Sequence, residues 1–127
     1  MIGVTRAVRV FAYGEPVDLR KGFNGLSGLV EKEMKHQLVD GDVYLFLGHN
    51  PRRTKVLYFD GTGLCLLSKR LETGGRFARL WRRSGDEVLT LTLSELSLFL
   101  EGSELIERKS LAPPSFDEKN LAVKMPL

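Results

Sequence analysis

The chain has 127 residues, 43% of them hydrophobic and 28% charged, with a formal net charge of +3. These values are those of one ordinary soluble globular domain, with enough residues to bury a core. No apolar run reaches the roughly 18 residues that a membrane span needs, and Arg6 and Arg9 interrupt the first apolar stretch, so we expect a cytoplasmic protein. Cys65 is the single cysteine, which excludes an internal disulfide and a cysteine metal site.

Positive charge is concentrated in the middle of the chain. Nine basic residues lie between Arg52 and Arg83, against only two acidic residues, Asp60 and Glu72. Residues 1–51 are balanced, with six of each sign, and residues 84–127 have four basic and eight acidic residues. A field concentrated on one segment indicates an anionic partner more strongly than the net charge does.

The predicted fold is α+β: an antiparallel meander of about five strands, one long helix packed on it, and a short C-terminal helix. Residues 8–13 form the first strand, because they are rich in β-branched and aromatic residues and are bounded by Gly14 and Pro16. The short connections after Asp40 favour antiparallel neighbours. The later strands are predicted over 43–47, 54–59, 64–71 and 76–81, with 88–91 as a further strand.

The long helical pattern follows the first strand. Asp18 is the expected N-cap, and Leu19, Phe23, Leu26 and Val30 lie on one stripe of a helix that reaches about residue 36 or 38. We therefore expect all four apolar residues to be largely buried against the sheet.

Three glycines interrupt this helical pattern: Gly22, Gly25 and Gly28. Each costs about 0.8 to 1 kcal/mol relative to alanine inside a helix, so something must offset the cost. The favoured explanation is close packing against the sheet. The alternative is that a phosphate approaches the backbone of the first turn beside Arg20 and Lys21.

The second helix begins at Thr92, because Glu95 three residues later completes a capping box, and Gly102 ends it. The expected domain is therefore 1–102. Residues 103–127 have little periodicity and form a tail that is weakly ordered or ordered by docking.

The predicted strand register brings basic residues to one end of one sheet face. A tight turn over 60–63 places Arg53 directly opposite Arg70, with Lys55 on the same face. A second tight turn over 73–74 would place Phe77 opposite Arg70 and add Arg79 beside them. Directly opposed arginines repel unless an anion or a carboxylate lies between them.

Two interpretations of this basic end remain open. One is a solvated rim, neutralised by Glu72 and by the acidic C-terminal region. The other is a site for nucleic-acid phosphates, with an aromatic ring available for stacking. The candidate nucleic-acid-binding residues are Arg20, Lys21, Arg52, Arg53, Lys55, Lys69, Arg70, Arg76, Phe77 and Arg79.

The sequence offers no assembled catalytic or metal site. His36 and His49 lie in different predicted elements, and no HxxxH, HxxE or CxxC spacing occurs. A two-metal nuclease needs converging carboxylates, whereas the aspartates here follow cap and turn patterns. We expect no catalytic residue, no metal and no cofactor, and keep a small metal-dependent nuclease only as a remote alternative.

Three motifs in order resemble a known family, the accessory transposition protein of insertion-sequence-66 type elements, also called TnpB. They are DLRKGFNGL at 18–26, PRRTKVLYFDGTGL at 51–64, and KRLE at 69–72 with GRF at 75–77. The resemblance covers about residues 8–102. Phe59 departs from the pattern, which has tryptophan there, and Leu64 and Cys65 occupy a position that is often aromatic.

The resemblance implies a protein encoded beside a larger DDE-type transposase, with no established enzymatic activity of its own. The expected function is a non-catalytic accessory factor in DNA transposition that binds the element's DNA ends, the transposase, or both. The alternative is an adaptor that recognises an acidic protein surface without binding DNA. The oligomeric state is not predicted.

Overall fold

The structure is a computed structural model that describes residues 7–80 and 88–102. Five strands form one sheet: β1 (Val10–Tyr13), β2 (Val43–Leu47), β3 (Arg53–Phe59), β4 (Leu64–Arg70) and β5 (Val88–Leu91). Their order is β4-β3-β2-β1-β5. β1 and β2 are parallel, and the other neighbouring pairs are antiparallel.

The α+β class is confirmed, but the expected purely antiparallel meander is wrong. β1 pairs with β2 in parallel, and parallel neighbours need a crossover connection rather than a tight turn. The helical segment between these two strands provides that crossover. The predicted segment 88–91 is a strand, but it pairs with β1 at the far edge of the sheet.

The predicted strand over 76–81 is also wrong. The structure describes the first five of these residues, 76–80. Residues 76–80 form no strand, and Phe77, Ala78 and Leu80 are buried in the core on one face of the sheet. The chain must pass from β4 at one edge to β5 at the other. Residues 76–80 lie on this face, where their apolar side chains cover the sheet instead of extending it.

The single long helix is replaced by shorter helical segments. A helix, α1, spans Phe23–Gly28, followed by a π-helical turn over Leu29–Glu33 and a 3-10 turn over Leu38–Asp40. Asp18 is not an N-cap, because its carboxylate accepts the backbone N–H of Arg20 at 3.0 Å and holds a local turn. α1 therefore begins only after Gly22, whose backbone is not helical.

The apolar stripe is only partly buried. Leu26 and Val30 are fully buried and Leu19 is half-buried, but Phe23 is 47% exposed, so its expected burial is wrong. The later start of α1 puts Phe23 in the first turn, beyond the covered part of the sheet. Within the described chain, a Cβ at Gly22 would meet no atom within 4 Å, so close packing does not explain that glycine.

The C-terminal helix agrees with its prediction. α2 spans Leu93–Leu100, and the Thr92 hydroxyl accepts the backbone N–H of Glu95 at 3.1 Å. The Glu95 carboxylate accepts the backbone N–H of Thr92 at 2.8 Å, which completes the capping box. Gly102 follows with a φ of 77°, a left-handed conformation that favours glycine.

Hydrophobic cores lie on both faces of the sheet. α1 covers one face, where Leu26 packs with Tyr44 and Phe46, and α2 covers the other, where Phe99 packs with Leu45. β2 is central and covered on both faces, so it has a continuous apolar run. No helix in the described part of the chain is both long and apolar enough to cross a membrane. The predicted tail, 103–127, lies outside the described residues.

Candidate nucleic-acid interface

The basic residues gather at the end of the sheet where β1, β2 and β4 finish and β3 begins. Arg53 pairs directly with Arg70 across the β3–β4 ladder, and Lys55 pairs with Ser68. The predicted register of this hairpin is therefore confirmed. Its turn is held by the Asp60 carboxylate, which accepts the backbone N–H groups of residues 62 and 63 at 2.9 Å each.

Three cations at this end already have partners within the protein. The Arg70 guanidinium donates to the Glu72 carboxylate at 2.9 Å, and this exposed ion pair offsets part of the repulsion expected between the facing arginines. Arg20 donates to the Asp18 carboxylate, with its shortest hydrogen bond at 2.7 Å. These side-chain hydrogen bonds hold the pKa of Asp18 well below its usual range, so the carboxylate stays ionised at neutral pH.

Lys55 is the third partnered cation. Its ammonium donates to the Lys21 backbone carbonyl at 3.1 Å and so connects β3 to the loop before α1. Lys21 itself is exposed beside this contact. Lys55 therefore helps to hold the loop in place, in addition to contributing positive charge.

Arg53 and Arg79 differ from these residues because they line a cleft. The cleft has a volume of about 220 Å³, and no acidic residue is among the residues that line it. Within the described residues, no carboxylate forms an ion pair with either guanidinium. The remaining lining residues are Pro16, Leu47, Gly48, His49, Pro51, Phe77 and Ala78.

A second, shallower groove of about 440 Å³ lies on the other side of the β2–β3 loop. Gly48, His49 and Arg53 line both grooves, so the two grooves meet at the β2–β3 loop, which we call the ridge. The groove also contains Asp18 and Arg20, whose charges pair with each other. Unpaired positive charge is therefore concentrated in the smaller cleft.

Local hydrogen bonds define the shape of the ridge. The Asn50 side-chain carbonyl accepts the backbone N–H of Arg52 at 2.9 Å, and its backbone carbonyl accepts that of Arg53 at 3.1 Å. At Gly48 a Cβ would lie 2.9 Å from Leu19 Cδ1, so glycine allows the loop to pack closely on the segment after β1. The ridge is thus a turn held by hydrogen bonds and close packing, and His49 on it is exposed to solvent.

The predicted site residues Lys69 and Phe77 lie on the face of the sheet that α2 covers. The Lys69 ammonium donates to the backbone carbonyl of Leu100 at 2.6 Å and caps the end of α2. Phe77 is only 3% exposed and stacks on Phe99 with ring centroids 5.0 Å apart. Its predicted position in a strand opposite Arg70 is wrong, because residues 76–80 form no strand, but its buried ring still borders the cleft that Arg53 and Arg79 line.

The remaining predicted residues are Arg52 and Arg76. Arg52 is half-buried and Arg76 is exposed, and neither lines the two grooves described above. The structure thus brings Arg53 and Arg79 together, places Arg20 in the neighbouring groove, and keeps Lys21, Lys55 and Arg70 near this end.

Sequence reasoning considered His49 only as a metal ligand and missed its position between the two grooves. Its place directly before Asn50 and Pro51, a pair typical of turns, was the available signal that it is exposed on a loop. The apolar wall made by Pro16 and Pro51 was missed too, because these residues come together only in the fold. No group of three histidine, cysteine or acidic residues that could hold a metal occurs among the described residues.

Comparison with known proteins identifies the family. Residues 8–110 match the family described as IS66 Orf2 like protein. The chain belongs to this family. The match confirms the resemblance carried by the three motifs, and it connects the IS66 Orf2-like chain to the transposition of insertion sequences.

Two relatives come from Sinorhizobium fredii (strain NBRC 101917 / NGR234). The uncharacterized protein y4jC is 32% identical over 117 residues, which cover 91% of this chain and 97% of that protein. The uncharacterized protein y4hO is 34% identical over 95 residues, which cover 75% of this chain and 80% of that protein. No solved structure matches the chain.

Proposed function

We propose that this IS66 Orf2-like protein is a non-catalytic accessory factor in transposition that binds the element's DNA through the cleft formed by Arg53 and Arg79. The observation that supports this function is the pair of guanidinium groups lining one cleft with no acidic residue in its lining. In this proposal the protein acts in the cytoplasm beside the element's transposase.

Phosphate is the ligand that best suits this arrangement. Guanidinium groups donate several hydrogen bonds in a fixed planar geometry that matches phosphate oxygens. Arg20 and Arg70 already donate to carboxylates, so a phosphate there must compete with Asp18 or Glu72. Arg53 and Arg79 face no such competition within the described chain, and they therefore supply the main contacts.

The test is DNA affinity measured by fluorescence anisotropy across a salt series. Replacing Arg53 and Arg79 together by alanine is expected to flatten the log-log salt dependence for duplex DNA by about 1.8, at about 0.9 for each phosphate that the protein no longer neutralises. The matched control removes the same charge elsewhere, through Lys32→Ala with Lys35→Asn. Asparagine suits position 35, where φ is 60°. A control that weakens binding equally would contradict a role for the cleft.

The adaptor function predicts a different result from the same variants. Wild-type protein would then show negligible DNA affinity even at low salt, and the Arg53/Arg79 double variant would lose association with the transposase. That outcome would overturn the DNA-binding proposal and support recognition of an acidic protein surface by the same two arginines.

No DNA cleavage step is part of the proposal. Supercoiled plasmid incubated with the protein and magnesium or manganese is expected to stay intact. Cleavage that disappears after substitution of Asp18, Asp40 or Asp60 would show that the protein is a nuclease.

A further inference from the structure

We infer that the cleft takes an unpaired nucleotide, with its base stacked on His49 and its neighbouring phosphates on Arg53 and Arg79. The protein would therefore prefer single-stranded DNA to a duplex. This inference rests on the proposed function and specifies the form of DNA that the same site binds.

The lining of the cleft favours a base as well as a phosphate. Five of its nine lining residues are apolar: Pro16, Leu47, Pro51, Phe77 and Ala78. A site that contacts only phosphates needs clustered cations and no apolar wall. Leu47, Phe77 and Ala78 are buried, so Pro16 and Pro51 provide most of the accessible apolar surface. These two rings beside two guanidinium groups match the two parts of a nucleotide, a flat weakly polar base and an anionic phosphate.

The size of the cleft limits what can enter. Its volume of about 220 Å³ is below the roughly 300 to 1,000 Å³ typical of pockets for larger ligands. A single flat base suits this volume. A paired base cannot enter, because its partner strand holds it inside the stack, and enzymes that bind bases in pockets use unpaired or flipped nucleotides.

His49 is placed to stack on such a base. It is exposed, it lines both grooves, and within the described residues no side chain forms a hydrogen bond or ring contact with it. A strand that crosses the ridge could place one base against the imidazole while its phosphates reach Arg53. Unpaired bases commonly stack on histidine rings and on guanidinium planes.

Helices α1 and α2 lack the basic side chains that usually recognise duplex DNA. A helix that enters the major groove contacts base edges and phosphates largely through basic and polar side chains. Neither α1 nor α2 contains a lysine or an arginine, and the π-helical turn that continues α1 contains only one, Lys32, between two glutamates. Duplex recognition by a helix is therefore not supported by the described elements, whereas the cleft combines charge with an aromatic ring.

The first experiment changes the DNA and leaves the protein intact. Anisotropy is measured for a single strand, for the same strand with abasic positions throughout its centre, and for a duplex of equal length. Phosphates are kept in the abasic strand, so only the absence of base contacts can weaken binding. We expect the abasic strand to bind about 5- to 160-fold more weakly, the range that removal of one stacked base produces.

The second experiment assigns the base contact to His49. His49→Ala is expected to weaken single-strand binding by a similar factor and to remove the difference between normal and abasic strands. His49→Phe should restore both, because it retains a ring, whereas His49→Lys should not, because it supplies only charge. Circular dichroism confirms that each variant is folded.

The outcomes separate the inference from the proposed function. Equal affinity for normal and abasic strands, or rescue by His49→Lys and not by His49→Phe, would overturn the stacked base while DNA binding through Arg53 and Arg79 stands. Tighter binding to duplex than to single strand would overturn it as well. Absence of binding to all three DNAs at low salt would overturn both.

Discussion

Leu26 and Phe23 occupy the same short helix but differ completely in exposure, so their alanine variants test how the crossover packs. Leu26 is fully buried against the aromatic residues of β2, whereas Phe23 is 47% exposed. Leu26→Ala removes three carbons from the core, worth about 2.4 kcal/mol at about 0.8 kcal/mol each, and it adds a cavity cost. The expected loss in unfolding free energy is about 2.5 to 4 kcal/mol.

Phe23→Ala should cost much less. Full burial of a phenylalanine is worth about 1.5 to 3 kcal/mol, so a ring that is half-covered contributes about 1 kcal/mol. Alanine recovers part of that loss through its higher helix propensity. Urea unfolding followed by circular dichroism measures both variants. If Phe23→Ala destabilised the isolated protein as much as Leu26→Ala, the ring would be covered and the placement of α1 would be refuted.

Three further predictions concern the sheet and its turn. Thr54→Val should lower the unfolding free energy, measured by urea unfolding, by about 0.5 to 1.5 kcal/mol, because the buried Thr54 hydroxyl donates to the Phe46 carbonyl at 2.7 Å. A variant more stable than wild type would contradict this prediction. Hydrogen bonds from the backbone N–H groups of Thr62 and Gly63 lower the pKa of Asp60 from 3.8 to about 2. The stabilisation by this ionised carboxylate is present above pH 4 and is lost as the pH falls toward 2. The difference in unfolding free energy between wild type and Asp60→Asn should therefore shrink as the pH falls from 4 to 2. A difference that stays constant over this range would contradict the prediction. Arg53→Thr should raise the unfolding free energy by about 0.2 to 1 kcal/mol at low salt by removing the charge opposite Arg70, and the gain should fade as salt is added.

The elements that could be predicted from the sequence are those with a complete local signal. β2 and β5 have their predicted bounds, and β3 and β4 differ by one residue each. The Asp60 turn and the Thr92 capping box are each specified within a few residues, so local pattern was sufficient. The register of β3 and β4 followed from the length of their turn, and with it the pairing of Arg53 with Arg70.

The features that could not be predicted depend on distant partners. Phe77 and Leu80 have a pattern compatible with a strand, and the outer edge of β4 is unpaired in the described chain, but both side chains are buried in the core on one face of the sheet. β4 instead leads to a segment that covers the core. The start of α1 was missed because Asp18 resembles an N-cap, while its carboxylate in fact binds Arg20 two residues later. Both patterns are locally ambiguous, and tertiary contacts decide between the alternatives.

The number of basic residues in the segment 52–83 does not give the number of phosphate contacts, because several of these side chains already bind other groups of the protein. Arg70 is neutralised by Glu72, Lys55 holds a loop carbonyl, and Lys69 caps α2. Engaging a phosphate with these side chains would require breaking the contacts that position the loop, the strand end and the helix. Arg53 and Arg79 carry no such structural duty within the described chain. The number of phosphates bound in a complex should accordingly depend on the guanidinium groups of Arg53 and Arg79 rather than on the total charge between residues 52 and 83.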